Sequence, residues 1–161
     1  MPKAVLISIR PEWVNKIITG EKMVEVRKTR PKLKTPFKCY VYMTRQSRPW
    51  RIDGSGHRYD GRVVAEFTCT HIDEIRPANE PYGTYDIDDD YVRATCLVNG
   101  AMWDYGKGQT LYGWNITDVR IFYPQPIKLS EFTGMRASGV WLELYKIERP
   151  PQSWCYVEEL L

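Results

Sequence analysis

The chain has 161 residues, 43% of them hydrophobic and 27% charged, with a formal net charge of +3. That is one domain's length, and its apolar and aromatic content excludes a chain that is mainly disordered. The longest early apolar run, residues 4–9, ends at Arg10 and Pro11, too short for a signal-peptide core, and no later run nears the ~18 apolar residues of a membrane span. A single cytoplasmic domain over residues 1–161, with no membrane partner, is the expectation.

The charge is unevenly spread. Residues 1–51 hold 13 of the 23 Lys and Arg but only 3 of the 20 Asp and Glu, a net of +10 that leaves −7 for the remainder. Segregation on this scale points to a polyanion as partner of the basic part. Cys39, Cys69, Cys96 and Cys155 include no C-x-x-C pair, and the only histidines are His57 and His71. They read as reduced, mostly buried thiols, and neither a metal nor a cofactor is expected.

In chain order, residues 4–9 are rich in β-branched side chains and predict a strand. Pro11 presets the first turn of a helix over residues 11–19, Glu12 complements its N-terminus, and Gly20 stops it. Trp13, Val14, Ile17 and Ile18 form its apolar stripe, so Trp13 is expected to pack inward. Residues 23–28 alternate, with Glu25 and Arg27 on one face and Val24 and Val26 on the other. Residues 37–43 alternate again, leaving Tyr40 and Tyr42 opposite the apolar face. Residues 45–60 form a long arginine-bearing loop with Trp50, a Gly-Ser-Gly and His57, a length that is usually functional. A strand over residues 62–72 follows.

Asp88, Asp89 and Asp90 sit where N-cap and first-turn carboxylates belong, predicting a helix over residues 91–98 that Asn99-Gly100 ends; a metal-binding aspartate cluster is the alternative. Residues 105–113 read as a Gly-rich loop without P-loop spacing. Strands are expected over residues 114–123, 140–147 and 154–157. The pattern predicts an α+β fold of short, mostly antiparallel strands on a curved or barrel-like sheet, with two or three short helices.

Four stretches carry a family resemblance: ISIRPEW at residues 7–13, GEKMVEVRK at 20–28, YGWNITD at 112–118 with P-x-x-L-x-x-F at 126–132, and PQSWCYVEEL at 151–160. Together they resemble the ASCH domain of the PUA-like superfamily, in the small stand-alone form found in phage and prophage. The resemblance spans nearly the whole chain. It implies a PUA-like β pseudo-barrel with a cleft beside the first helix, lined by the G-x-K-x-x-E-x-R motif of Gly20, Lys22, Glu25 and Arg27. It also implies binding of RNA or of a nucleotide-like ligand. Some small members resemble amidohydrolases of acylated cytidine nucleosides that use the motif lysine and a threonine three residues on, and others are ribonucleases. This chain has Glu25 at that third position, so the hydroxyl nucleophile is missing. Glu66, Glu80 and Asp86 are the candidates for a further carboxylate.

The residues themselves fit binding. Lys22 and Arg27 can meet phosphate or a base edge, and Glu25 can orient Arg27 or accept from an exocyclic amine. Lys22 follows the helix stop, near the negative end of that helix. Arg10, Lys28, Arg30, Lys32 and Lys34 extend the positive field, and the arginines of residues 45–58 can contact phosphates without reading sequence. Tyr42, Trp114 and Trp154 are candidate stacking platforms. If the protein is an enzyme, Lys22 and Glu25 are the expected acid–base pair. The competing readings are thus a nucleic-acid or nucleotide binder, a hydrolase of modified nucleosides or RNA, and a protein-interaction module.

Overall fold

The computed structural model describes residues 2–48 and 58–160. Trp50, Arg51 and His57 of the long loop lie outside the described residues. The chain forms strands β1 (Lys3–Ile9), β2 (Val24–Arg27), β3 (Phe37–Met43), β4 (Arg62–Ile75), β5 (Leu111–Ile121), β6 (Thr133–Ser138), β7 (Trp141–Lys146) and β8 (Trp154–Glu158). Helices α1 (Pro11–Ile18), α2 (Asp89–Thr95) and α3 (Asn99–Gly106) and a 3-10 turn at Leu129–Glu131 complete it. The strands make one open sheet in the order β2-β5-β4-β3-β1-β8-β6-β7.

Among the described strands only β1 and β3 run parallel, from Val5 opposite Cys39 to Ile9 opposite Met43, because α1 and β2 intervene as a crossover. The sheet curves where the ladder slips: once between β3 and β4, at Val41/Tyr42, and twice between β4 and β5. This is the α+β architecture expected from the strand pattern, with the curved sheet left open.

β1 has both faces covered, which is why its sequence is a continuous apolar run. Val5, Ile7 and Ile9 pack with Val14 and Ile17 of α1, with β3 and β4, and with Trp114. Ala4 and Leu6 face the other way, into a second cluster with Tyr40, Tyr42, Val63, Phe132, Ile147 and Val157. A third cluster of Val26, Ile75, Tyr85, Met102 and Leu111 holds α2 and α3 against the β2 edge.

Helix α1 starts at Pro11, and its backbone stops at Gly20, whose φ of +83° suits glycine. Helix α2 is capped as expected: the Asp88 carboxylate accepts from the Tyr91 amide at 2.8 Å. Asp90 pairs with Arg93 instead of joining a ligand set. Among the described residues no group of three His, Cys, Asp or Glu side chains is placed to hold a metal. No described helix is long and apolar enough to cross a membrane.

Three elements differ from the sequence expectation. Helix α2 ends at Cys96, left-handed at φ 58°, and Asn99 opens α3 instead of closing α2. The Asn99 amide is used in tertiary contact, accepting from the Tyr85 amide at 2.7 Å and donating to its carbonyl at 3.0 Å, which no local pattern reveals. Residues 105–113 are therefore the end of α3, a turn and the start of β5, and not a loop. Strand β6 has no apolar alternation and exists through its ladders with β7 and β8.

Close approach makes Gly113 a test of this packing: a Cβ there would lie 1.9 Å from Tyr91 Oη and 3.0 Å from Val24 Cγ1. Gly113→Ala is expected to lower the urea unfolding midpoint, by the equivalent of about 1–3 kcal/mol. Gly100→Ala, in open space on α3, is expected to hold or raise it by up to ~1 kcal/mol.

Candidate functional site

A cavity of about 460 Å³ opens between α1, α3 and the ends of β1, β2 and β3, beside the residues that lead into β8. Arg10, Trp13, Lys22, Glu25, Arg27, Thr44, Tyr105 and Ser153 are among the residues that line it. The chain turns inward after Gly20, and the Lys22 amide donates to the Lys16 carbonyl at 2.9 Å. That turn drives the Lys22 side chain into the protein, where it is 2% exposed. Its ammonium donates to the Thr95 carbonyl at 2.5 Å and lies 5.3 Å from the centre of the Trp13 ring. The helix end that receives the charge is thus that of α2, not of α1. Burial lowers the Lys22 pKa, and the Glu25 carboxylate acts in opposition.

Alternation on β2 puts Glu25 and Arg27 on one face, with Glu25 Oε1 3.4 Å from Arg27 Nε. The rest of the Arg27 fork is held by two serines: Nη2 donates to the Ser8 carbonyl at 2.7 Å, and Nη1 to the Ser153 hydroxyl Oγ at 3.1 Å. Glu25 Oε2 is buried and, among the described residues, has no hydrogen-bond partner. Glu25, a residue of the cavity lining, thus keeps one buried, unsatisfied carboxylate oxygen, and Trp13 and Tyr105 contribute aromatic side chains to the same lining.

The structure brings Arg10, Lys22, Glu25 and Arg27 to one cavity. Arg10 is exposed at its mouth, and Lys28 stands outside the wall with its ammonium 4.7 Å from the centre of the Tyr105 ring. Tyr42, Trp114 and Trp154 are placed elsewhere. Tyr42 is in the second core cluster, and burial raises its phenol pKa. Trp114 is fully buried, edge-on to Phe37 and Trp154, and its Nε1 donates to the Thr29 carbonyl at 3.3 Å. Trp154 is half-buried, with Nε1 on Thr29 Oγ1 at 2.9 Å. Glu66 pairs with Lys38 at 3.2 Å and with Arg120 at 3.5 Å, and Glu80 and Asp86 are exposed and outside the cavity lining. His71 lies 3.6 Å from Asp73.

Sequence reasoning missed Tyr105 and Trp13 as lining residues. Tyr105 carried no signal once its helix was read as a loop. Trp13 does pack on the first core cluster but is only half-buried, at the edge of the α1 stripe, so one side faces the cavity.

The structure is thus an open, bulged α+β sheet with a polar cleft beside its first helix. No protein-family model and no curated protein matches the sequence. In fold the chain is similar to the crystal structure of ASCH from Zymomonas mobilis, at TM-score 0.63 and 20% identity over 97% of this chain and 88% of that one. A tyrosine-to-phenylalanine variant of the Zymomonas protein is similar at TM-score 0.60 and 18% identity, over 97% and 91%. A serine-to-alanine variant is similar at TM-score 0.61 and 19% identity, over 97% and 89%. What is shared at these identities is the ASCH fold.

The lowered pKa of Lys22 has a sign that can be measured. The unfolded chain keeps that proton up to the ordinary value of 10.5, while the folded chain releases it earlier. Lys22 therefore imposes a cost below its folded pKa that is relieved as pH rises toward 10.5. The difference in unfolding free energy between wild type and Lys22→Met is expected to shift in favour of wild type across that alkaline range. A difference that is flat or runs the other way would contradict the buried placement.

Proposed function

We propose that the cleft binds a nucleobase, presented by RNA or by a nucleotide-like ligand. The observation that carries this reading is Glu25 Oε2, a buried carboxylate oxygen with no donor. Leaving such a group unpaired costs roughly 1–3 kcal/mol, so a ligand N–H that reached it would be bound favourably. The exocyclic amine of cytosine, adenine or guanine offers that donor at the edge of a flat ring. Trp13 and Tyr105 offer faces for stacking, and Arg10 gives the mouth a positive charge. A cavity of about 460 Å³ suits one base with its sugar and is too small for a duplex. Likeness of fold to an ASCH protein, and the Lys22, Glu25 and Arg27 motif, support the same class of ligand.

One observation favours a second reading, hydrolysis of a modified nucleoside or of RNA. Lys22 is a buried amine whose pKa is lowered beside a carboxylate, a setting suited to proton transfer. With Glu25 in place of the threonine nucleophile, such a reaction would have to use water, with Lys22 or Glu25 handling its proton.

Both readings are tested on one titration series, with labelled single-stranded RNA of mixed sequence and free nucleosides. Glu25→Gln is expected to weaken binding by roughly tenfold to a hundredfold, the loss of a charge-assisted hydrogen bond. Wild-type affinity in Glu25→Gln would remove the base-binding assignment. Time-dependent product from RNA or an acylated cytidine that vanishes in Lys22→Met would establish the hydrolase.

A further inference from the structure

A second cavity, of about 500 Å³, lies across the end of β3 from the cleft. It is floored by Leu129 and Ile147 of the second core cluster and ringed by cations from five places in the chain: Arg45, Arg58, Arg62, Lys128 and Lys146. Asp60 and Glu148 are the acids in its lining. Asp60 is held by Arg58, with Nε and Nη2 on its two oxygens at 2.9 and 2.8 Å. Among the described residues, Arg45, Arg62, Lys128 and Lys146 have no carboxylate within ion-pair distance.

The fold gathers these charges from parts of the sequence that are far apart. Arg62 opens β4 opposite Met43, after Gly61, whose φ of +79° and amide hydrogen bond to the Met43 carbonyl at 2.7 Å fix the turn. Lys128 follows Ile127, which bridges to Val63, and Lys146 closes β7. Four like charges around one hollow repel one another and attract a multivalent anion. Arginine forks match the paired oxygens of a phosphodiester.

Two neighbouring residues join this hollow to the cleft. Thr44 lines the cleft and Arg45 the second cavity, and the Thr44 amide is pinned to the Ile9 carbonyl at 3.0 Å. Successive residues of an extended chain face opposite ways about 3.3 Å apart, so the two cavities flank the same end of β3. We propose that the second cavity seats backbone phosphates of a single-stranded nucleic acid whose base occupies the Glu25 cleft. This rests on the base-binding reading and makes the ligand an oligonucleotide, not a free nucleoside. The seat contributes affinity and register without reading sequence.

The test compares wild type, Arg62→Gln/Lys128→Gln, the charge-conserving Arg62→Lys/Lys128→Arg and Glu25→Gln. The probes are a labelled single-stranded RNA of about twelve nucleotides, within the usual range of single-strand site sizes, free cytidine, pyrophosphate and polyglutamate. The neutral double variant is expected to bind the RNA at least tenfold more weakly at low salt. Its plot of log affinity against log salt should be shallower by roughly 1.4, two phosphate contacts' worth. The charge-conserving variant should retain wild-type binding, which separates lost charge from a damaged fold. Cytidine, having no phosphate, should bind wild type and both double variants alike.

RNA affinity and salt slope unchanged in the neutral double variant, with Glu25→Gln still weakened, would overturn the phosphate seat and leave the base cleft standing. Loss in the double variant with none in Glu25→Gln would support the seat and remove the base cleft. Pyrophosphate binding as tightly as the RNA would overturn the strand assignment in favour of a small phosphate. Polyglutamate competing as well as RNA, with both lost in the double variant, would overturn it in favour of an acidic protein.

Discussion

The Arg27 guanidinium joins strands that the sheet keeps apart. β2 is an edge strand, and β5, β4 and β3 lie between it and β1 in the sheet order. Yet Arg27 donates to the carbonyl of Ser8 on β1 and to Ser153 just before β8. That reach is possible because the bulges between β3, β4 and β5 bend the sheet back toward itself. A planar fork with several donors can satisfy oxygens on two strands at once, which a lysine ammonium does less well. The cleft exists because this clasp holds β2 against β1 and the entry to β8 without completing a ladder of hydrogen bonds between them.

The clasp carries an energetic consequence. Glu25 and Arg27 are nearly buried, and Lys22 almost fully so. Buried ion pairs seldom repay their desolvation, and a carboxylate oxygen with no donor adds to the deficit. An apolar trio of similar volume would serve stability at least as well. The proposed role gives the polar trio a purpose: in a low-dielectric pocket, a hydrogen bond that a ligand completed with Glu25 would count for more than it would in water. The walls of Trp13 and Tyr105 come from α1 and α3, so the third core cluster, which anchors α3 to the β2 edge, also sets the width of the cleft.

The periodic elements were readable in the sequence because their patterns are local. Pro11 and Gly20 bracket α1, β3 alternates over its full length, and Asp88 marks the start of α2. Where a side chain works at a distance, the pattern misleads. Asn99-Gly100 looks like a stop, but the Asn99 amide is matched to the backbone of Tyr85, and a helix begins there. Strand β6, reading TGMRAS, has no pattern of its own and is specified by its neighbours. Trp114 and Trp154 fall in family-like motifs, yet they pack against each other and bond to Thr29, while Trp13 reaches the cavity from a core stripe.

By itself the sequence determined the fold class, the shared face of Glu25 and Arg27, and an uneven spread of charge along the chain. These follow from near-neighbour geometry and from counting. Only the tertiary structure decided where the charge acts. It sinks Lys22 against the end of α2 and commits Arg27 to the backbone. It also sets Arg45, from the basic part of the chain, beside Arg62, Lys128 and Lys146 from the acidic part. The physical reason is that electrostatic fields add in space and not along the chain, so a patch is made by the strands that converge on it.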